Sequence, residues 1–270
     1  MEINLITSNV SADFLAPPGV PAWDERKGLY AQAVRAAAPD IIGFQEATPR
    51  QLAFWQEALP EFTALFVEVV DPDEEMGVIW FSKYAKFGLP TVPSPYEILL
   101  FYRTETFDCL ETGHWWLSPT PERPSVGFGN VAPRVMLWAR LRHRDSGQPF
   151  MVFNTHLDHR ALDPMVALCR EQFSSFIGHT PLIFMGDLNI NPTQPNFAHF
   201  LADGWHDSHP TGANAGTFLY ENAGVPDGRI DHILYHGPWL PRAWKRLESP
   251  DPERRISDHQ PVWARLKYGH

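Results

Sequence analysis

Strand-like runs in this sequence end repeatedly in side chains able to hold a cation or move a proton. The stretch PLIFMGDLNINP (Pro181–Pro192) is apolar through Leu182, Ile183, Phe184 and Met185, halts at Gly186, and delivers Asp187 and Asn189 one residue apart. Taken alone, Gly, Asp and Asn make an ordinary turn. The ending recurs, however: Asn9 closes NLITSN, Glu46 closes DIIGFQE, and His156 and Asp158 close FMVFNTHLD. Asp231 lies at the start of RIDHILYH, and Asp258-His259 precede PVWARL. Together these suggest one polar cleft along an edge of the sheets. Asn9, Glu46 and Asp258 offer hard oxygen ligands, which suit Mg²⁺ or Mn²⁺ better than Zn²⁺. Asp187 can take a proton from an attacking water or hold a second metal, and Asn189 can orient that water. His156 and His259 add acid–base groups that titrate near neutrality. Such a set suits attack of water on a phosphoryl group whose developing charge a cation stabilises.

The elements that must carry these groups alternate at first. INLITSN and DIIGFQE read as strands, and WDERKGLYAQAVRAAAP as a helix that stops before Pro39. TPRQLAFWQEAL opens a second helix, with Thr48 as N-cap and Pro49 at its first position. The middle is strand-rich: GVIWFS, EILLFYR, FDCLE, VMLWARLRH and PFMVFNTH, the last two joined by a hairpin loop turning at Asp145, Ser146 and Gly147. A helix follows over about residues 164–177, then the Leu182–Met185 strand and a short helix in QPNFAHFLA. RIDHILYH and PVWARLKY are the last strands. Strands throughout, with helices in both halves, predict an α/β fold of two packed sheets with helices outside, as one domain over residues 1–270.

Composition narrows the function. The formal charge of −10 leaves no broad basic field, which disfavours extended duplex DNA and favours a small or single-stranded phosphate compound. The longest apolar runs are too short for a membrane span. MEINLITSNV reads as a first strand and not as a signal peptide. Cys109 and Cys169 form no metal or disulfide pattern, which suggests buried free thiols in the cytoplasm. No protein partner is predicted.

IIGFQE (Ile41–Glu46), NTHLDH (Asn154–His159), MGDLN (Met185–Asn189), RIDHIL (Arg229–Leu234) and SDHQPV (Ser257–Val262) stand in one order along the chain. In that order they resemble the endonuclease/exonuclease/phosphatase superfamily, the DNase I-like phosphohydrolases. ETGHWWLSPTPE (Glu111–Glu122) is similar to a segment of its bacterial, deadenylase-like branch. The resemblance implies a four-layered α/β sandwich with two mainly antiparallel sheets, and a metal-dependent hydrolase of phosphate esters. It implies a first metal on Asn9, Glu46 and Asp258, and a water oriented by Asp187 and Asn189, with Asp187 near a second metal. His259 then contacts the phosphate, Asp231 orients His259, His156 stabilises or protonates the phosphate, and Tyr102 and Arg134 touch substrate. Glu97 lies one residue closer to FYR than the family pattern, which leaves its role open.

Several choices stay open in the sequence. The substrate is a nucleic acid strand or a small phosphate ester, and a catalytically inactive metal- or phosphate-binding module of the same fold is the alternative. Of Trp115 and Trp116, adjacent and therefore on opposite faces, one packs in the core and the other is available to stack a base or sugar. Asp158 and His159 belong to the site or to a surface loop. His232 and His236 lie four residues apart along a strand, roughly 13 Å and too far for one ion, and these two and His206 with His209 read as structural.

Overall fold

The computed structural model describes residues 1–15, 17–67, 98–130, 133–210, 216–219 and 228–269. Glu97, the GVIWFS run and the 89–95 loop lie outside these residues.

Two six-stranded sheets face one another. The first contains β1 (Glu2–Asn9), β2 (Ile41–Gln45), β3 (Phe62–Phe66), β4 (Ile98–Arg103), β11 (Trp239–Arg246) and β12 (Val262–Tyr268), in the order β11-β12-β1-β2-β4-β3. The second contains β5 (Phe107–Trp116), β6 (Val135–His143), β7 (Pro149–His156), β8 (Leu182–Asp187), β9 (Trp205–Asp207) and β10 (Asp231–His236), in the order β5-β6-β7-β8-β10-β9. Helices α1 (Trp23–Ala36) and α2 (Pro49–Ala58) cover the first sheet, and α3 (Leu162–Ser174) and α4 (Pro195–Leu201) cover the second. This is the expected four-layered α/β sandwich. Each sheet is mixed, with a parallel pair at its centre, β1 with β2 and β7 with β8, and antiparallel strands around it. Each parallel pair is joined through a helix, as a crossover requires. No helix among the described residues is long and apolar enough to cross a membrane.

The central strands are covered on both faces, so their apolar runs are continuous. Ile183 and Met185 of β8 pack between the sheets, while Leu182 and Phe184 pack against the helices. On α1, Trp23, Tyr30 and Val34 recur at helical spacing and are buried against Ile42 and Phe44. Asp24 and Glu25 in its first turn and Arg35 in its last complement the helix dipole. Thr48 caps α2 as its type predicts. Its hydroxyl accepts from the Gln51 backbone, and the Gln51 side chain accepts in return from the Thr48 backbone.

Some elements differ from the sequence reading. β11 was not foreseen: it is an edge strand with mostly exposed side chains and a register shift after Pro241, so no apolar alternation marks it. β5 runs on to Trp116, beyond the FDCLE segment. Trp116 is buried between the sheets, whereas Trp115 lies in an outer aromatic layer, stacked with Trp138 and Phe153 and tilted on Phe176. Packing thus engages the half-buried ring that the sequence left available to stack a base.

The inward face of each central strand changes character along its length. Ile3 and Leu5 give way to Thr7 and Asn9, Ile41 to Gly43 and Gln45, Phe150 and Val152 to Asn154 and His156, and Ile183 and Met185 to Asp187. All four strands run toward the same edge of the sandwich, so the polar ends meet there. Where apolar gives way to polar, the sheets are bridged. Gln45 Nε2 donates to Asn154 Oδ1 at 2.7 Å, and Asn154 Nδ2 donates to the Phe44 and Leu99 carbonyls at 3.1 and 2.8 Å. Gly43 leaves room for this, since a Cβ there would lie 2.7 Å from Asn154 Oδ1.

Gly186 makes the tightest approach: a Cβ at this residue would overlap the Thr155 carbonyl oxygen of the neighbouring strand. Gly186→Ala is expected to lower stability in urea by more than about 3 kcal/mol, as overpacking into backbone does at its upper end. Gly28→Ala, on an open face of α1 with nothing within 4 Å of the added methyl, should be neutral or raise stability by up to about 1 kcal/mol. Equal behaviour of the two variants would contradict this packing.

Candidate active site

Asp187, at the tip of β8, is the centre of the polar edge. It is 1% exposed. Asn9 Nδ2 donates to its Oδ2 at 3.0 Å, with His156 Nε2 at 3.4 Å and His259 Nε2 at 3.8 Å from the same oxygen. The Asn189 backbone N–H donates to its Oδ1 at 3.0 Å. Its two oxygens thus face groups from β1, β7, the segment before β12 and the loop after β8. Burial pushes the Asp187 carboxyl up to about 7, against the pull of His259. A carboxyl so placed can exchange a proton with water near neutral pH.

His259 is held from behind. Its Nδ1 lies 2.9 Å from Asp231 Oδ2, on the first residue of β10. Burial alone lowers the pKa of the ring, but Asp231 and Asp187 outweigh it and push it up to about 10. Nδ1–H therefore donates to Asp231, and Nε2–H faces Asp187 and the cleft. Asp231 is held in turn by Thr217, whose hydroxyl accepts from the Ile230 and Asp231 backbones at 3.1 and 3.2 Å.

His156 bridges two carboxylates, with Nε2 toward Asp187 and Nδ1 4.0 Å from Glu46 Oε1. Glu46 follows β2 with φ +59°, and Asn189 follows β8 with φ +51°. Asn tolerates the left-handed region, whereas Glu is strained there, and such strain concentrates at functional sites. Asn189 Nδ2 donates to the Leu157 carbonyl at 2.8 Å, so one amide ties the ends of β7 and β8 together.

Glu46, Arg134, His156, Asp187, Asn189, Asp258 and His259 line one cleft of about 590 Å³. Asn9 and Asp231 sit behind it and act through Asp187 and His259. Arg134 lies 3.7 Å from Asp158, a buried carboxylate whose other oxygen accepts from the Arg160 backbone, while His159 is exposed at the rim. Tyr102 is a correction. It pairs with Ile41 at the start of β2, whereas Glu46 follows the end of that strand, so Tyr102 lies at the far edge of the sheet. It is buried in the core between the sheets and cannot reach a phosphate in the cleft.

Among the described residues, the closest group of cation-ligating atoms is Asp187, Asp231 and His259, all within 4.8 Å. Here the imidazolium already supplies positive charge between two carboxylates. Glu46 and Asp258 line the same cleft as Asp187 and offer oxygen donors of the kind that Mg²⁺ or Mn²⁺ takes, while Asn9 stands behind Asp187. The Asn9 oxygen meanwhile accepts from the Ser11 backbone at 3.0 Å.

Several supporting residues escaped the sequence reading. Ser257 donates to the Asn9 carbonyl at 2.7 Å, and Gln45 and Asn154 carry the bridge between the sheets. His232 is structural, as expected, yet it serves the site. It bonds the Ile190 carbonyl at 2.8 Å and faces Arg229 at 3.0 Å, which steadies the loop after Asp187. Burial and then Arg229 push its pKa down to about 4, so the ring is neutral.

Comparison with known proteins places these features in context. The family model described as Endonuclease/Exonuclease/phosphatase family matches residues 6–259. The solved mannosyl-6-phosphatase of Bacteroides thetaiotaomicron is 27% identical, with a TM-score of 0.78 over 98% of this chain and 100% of that one. Nocturnin of Drosophila melanogaster is 27% identical over 192 residues, 68% of this chain and 27% of that protein. Uncharacterized protein L388 of Acanthamoeba polyphaga mimivirus is 24% identical over 179 residues, 63% of this chain and 60% of that protein. The chain thus spans less than two thirds of either of these two relatives.

The Asp231–His259 contact sets a measurable titration. The His259 pKa in the fold, about 10, exceeds its ordinary 6.5. Its stabilising contribution is therefore complete below pH 6.5 and disappears as pH rises through about 10. Followed by NMR in metal-free protein, the ring should stay protonated through neutral pH. Asp231→Asn should lower its pKa, and an unchanged titration would rule out this coupling.

Proposed function

The chain belongs to the Endonuclease/Exonuclease/phosphatase family, and from that premise we propose that it is a divalent-metal-dependent hydrolase of phosphate esters. The observation that carries this reading is the convergence of Glu46, His156, Asp187, Asn189, Asp258 and His259, from both sheets, on one cleft. A non-catalytic binding module has no need of a carboxyl shifted to about 7 beside an imidazolium held by a second carboxylate.

Each residue has a role that follows from its surroundings. Glu46 and Asp258, with Asn9 and Asp187 beside them, would hold Mg²⁺ or Mn²⁺, which supplies Lewis-acid charge to the phosphoryl oxygens when bound. Asp187 accepts the proton of the attacking water, and Asn189 orients that water. As the new P–O bond forms, the ester P–O bond breaks, and the leaving oxygen takes up a proton from solvent water and departs as the alcohol. His259, aligned by Asp231, presents Nε2–H to the phosphate oxygens, His156 steadies them from the other side, and Arg134 balances their charge. Preorganised donors in a site with little water are worth far more than the same donors in bulk solvent.

The substrate we favour is a small phosphate ester, of which a sugar phosphate is the first candidate. Arg134 is the only Lys or Arg among the described residues lining the cleft, and the chain carries a net charge of −10. Both features suit one phosphate better than a long polyanion. The 27% identity to a mannosyl-6-phosphatase across the whole chain points the same way. Single-stranded nucleic acid is the second reading, since a single strand presents a lower charge density than a duplex.

With Mg²⁺ or Mn²⁺ present, the purified protein should hydrolyse members of a panel of phosphate mono- and diesters. Asp187→Ala should lower kcat by at least about a hundredfold, the low end for loss of a proton-transfer group, with the fold retained by circular dichroism. A wild-type protein inert on the whole panel would refute the reading. Salt separates the two substrate classes, because binding of a nucleic acid strand should weaken steeply with ionic strength and binding of a small ester only slightly.

A further inference from the structure

Asn9 and Asp258 come from opposite ends of the chain; Asn9 pairs with Gln45 of β2, but the pairing of β1 with β12 does not reach either residue. The β1–β12 ladder ends at Thr7 opposite Val262. Beyond it no ladder joins the two segments, and backbone carbonyls on both accept from one side chain. That side chain is Arg26 of α1, 1% exposed and far from the motifs that mark the site in the sequence. Its Nη1 donates to the Val10 carbonyl at 2.8 Å and to the Ile256 carbonyl at 2.6 Å, and its Nη2 donates to the Ser11 carbonyl at 2.8 Å. One nitrogen therefore joins the loop after Asn9 to the loop before Asp258. Burial lowers its pKa, and Tyr30, Asp258, Asp13 and Glu46 act in the opposite direction, so acids of the cleft offset part of the cost of burying the cation.

We propose that Arg26 is a positioning residue that holds the residues just after Asn9 and those just before Asp258-His259 together as one ligand-presenting unit. The inference rests on the reading of Asn9 and Asp258 as cation ligands, and it adds what aligns them. A helix that only packed on the sheet would need an apolar residue here, since a buried charge is costly unless it is paired and hydrogen-bonded. Arg is required by geometry as well. Its planar fork can meet three carbonyls at once, whereas the Lys ammonium is a point charge on a flexible stem. Ser257 makes a parallel tie, its hydroxyl donating to the Asn9 carbonyl at 2.7 Å.

Arg35 provides an internal control. It lies on the same helix and also donates to a backbone carbonyl, with Nε 2.9 Å from the Ala58 oxygen, but it does not face the site. The full-length wild type, Arg26→Lys, Arg35→Lys and Ser257→Ala should be compared by Mn²⁺ titration calorimetry, by urea unfolding and by the NMR signals of the His259 ring. Arg26→Lys should weaken Mn²⁺ binding by at least about tenfold, the range for residues that orient metal ligands, and shift the His259 resonances. Ser257→Ala should move both readouts the same way by a smaller factor, which keeps the test decisive if Arg26→Lys does not fold. Arg35→Lys should cost stability and change neither. Wild-type Mn²⁺ affinity and unmoved His259 signals in folded Arg26→Lys, or in Ser257→Ala should that protein not fold, would overturn the proposal. If the wild type itself binds no Mn²⁺, the cation reading fails, and the His259 signals alone decide whether Arg26 positions the loop.

Discussion

The hydrogen bond from Gln45 to Asn154 joins the two sheets where an apolar core becomes an acidic site. Below it the inward faces are aliphatic and aromatic; above it they carry amide, imidazole and carboxylate. A buried amide left without partners would cost a few kcal/mol, and here the two amides bond each other and the carbonyls of both neighbouring strands in the facing sheet. The bridge therefore stabilises the sandwich only in one register, the register that brings Glu46 beside His156 and Asn9 beside Asp187. Gly43 is part of this constraint, because any larger residue would hold the sheets apart.

The site follows from strand direction. Each sheet has a parallel central pair, and both pairs run to the same edge, so four strand ends meet there. Ligand sites in open α/β sheets lie outside the carboxyl ends of strands for the same topological reason. The site adds charge to this geometry. Asp187 and Asp231 flank one imidazolium, while Glu46 and Asp258 open on the cleft with oxygens suited to a hard cation. The positive φ at Glu46 shows that backbone strain is tolerated at one of these strand ends. Ordinary sheet packing offers no reason for it.

Much of this was legible in the residues. Apolar runs ending in Asn9, Glu46, His156 and Asp187 marked both the strands and their functional tips, because the period of two links burial to side-chain direction. Thr48 and Pro49 marked the start of a helix for local reasons that no tertiary contact overrides. Other features were hidden. Edge strand β11 buries too little to show alternation. Tyr102 stood in a familiar segment, but only the antiparallel pairing of β4 with β2 shows that it lies at the wrong end of the sheet. Trp115 looked available until Trp138, Phe153 and Phe176 closed around it. Arg26 lies in a helix whose other buried positions are apolar, and nothing local separates it from a solvated arginine.

The sequence by itself determined the strand ends, their chemistry and the layered architecture, since these depend on side-chain type and on spacing within short segments. Only the tertiary structure decided that Asn9 and Asp231 stand behind the cleft while Glu46 and Asp258 open on it. It also decided which aromatic residues are committed to packing, and which buried arginine joins the two ends of the chain. Distances between groups up to about 250 residues apart are set by sheet register and helix packing, whose energies are sums over the whole core.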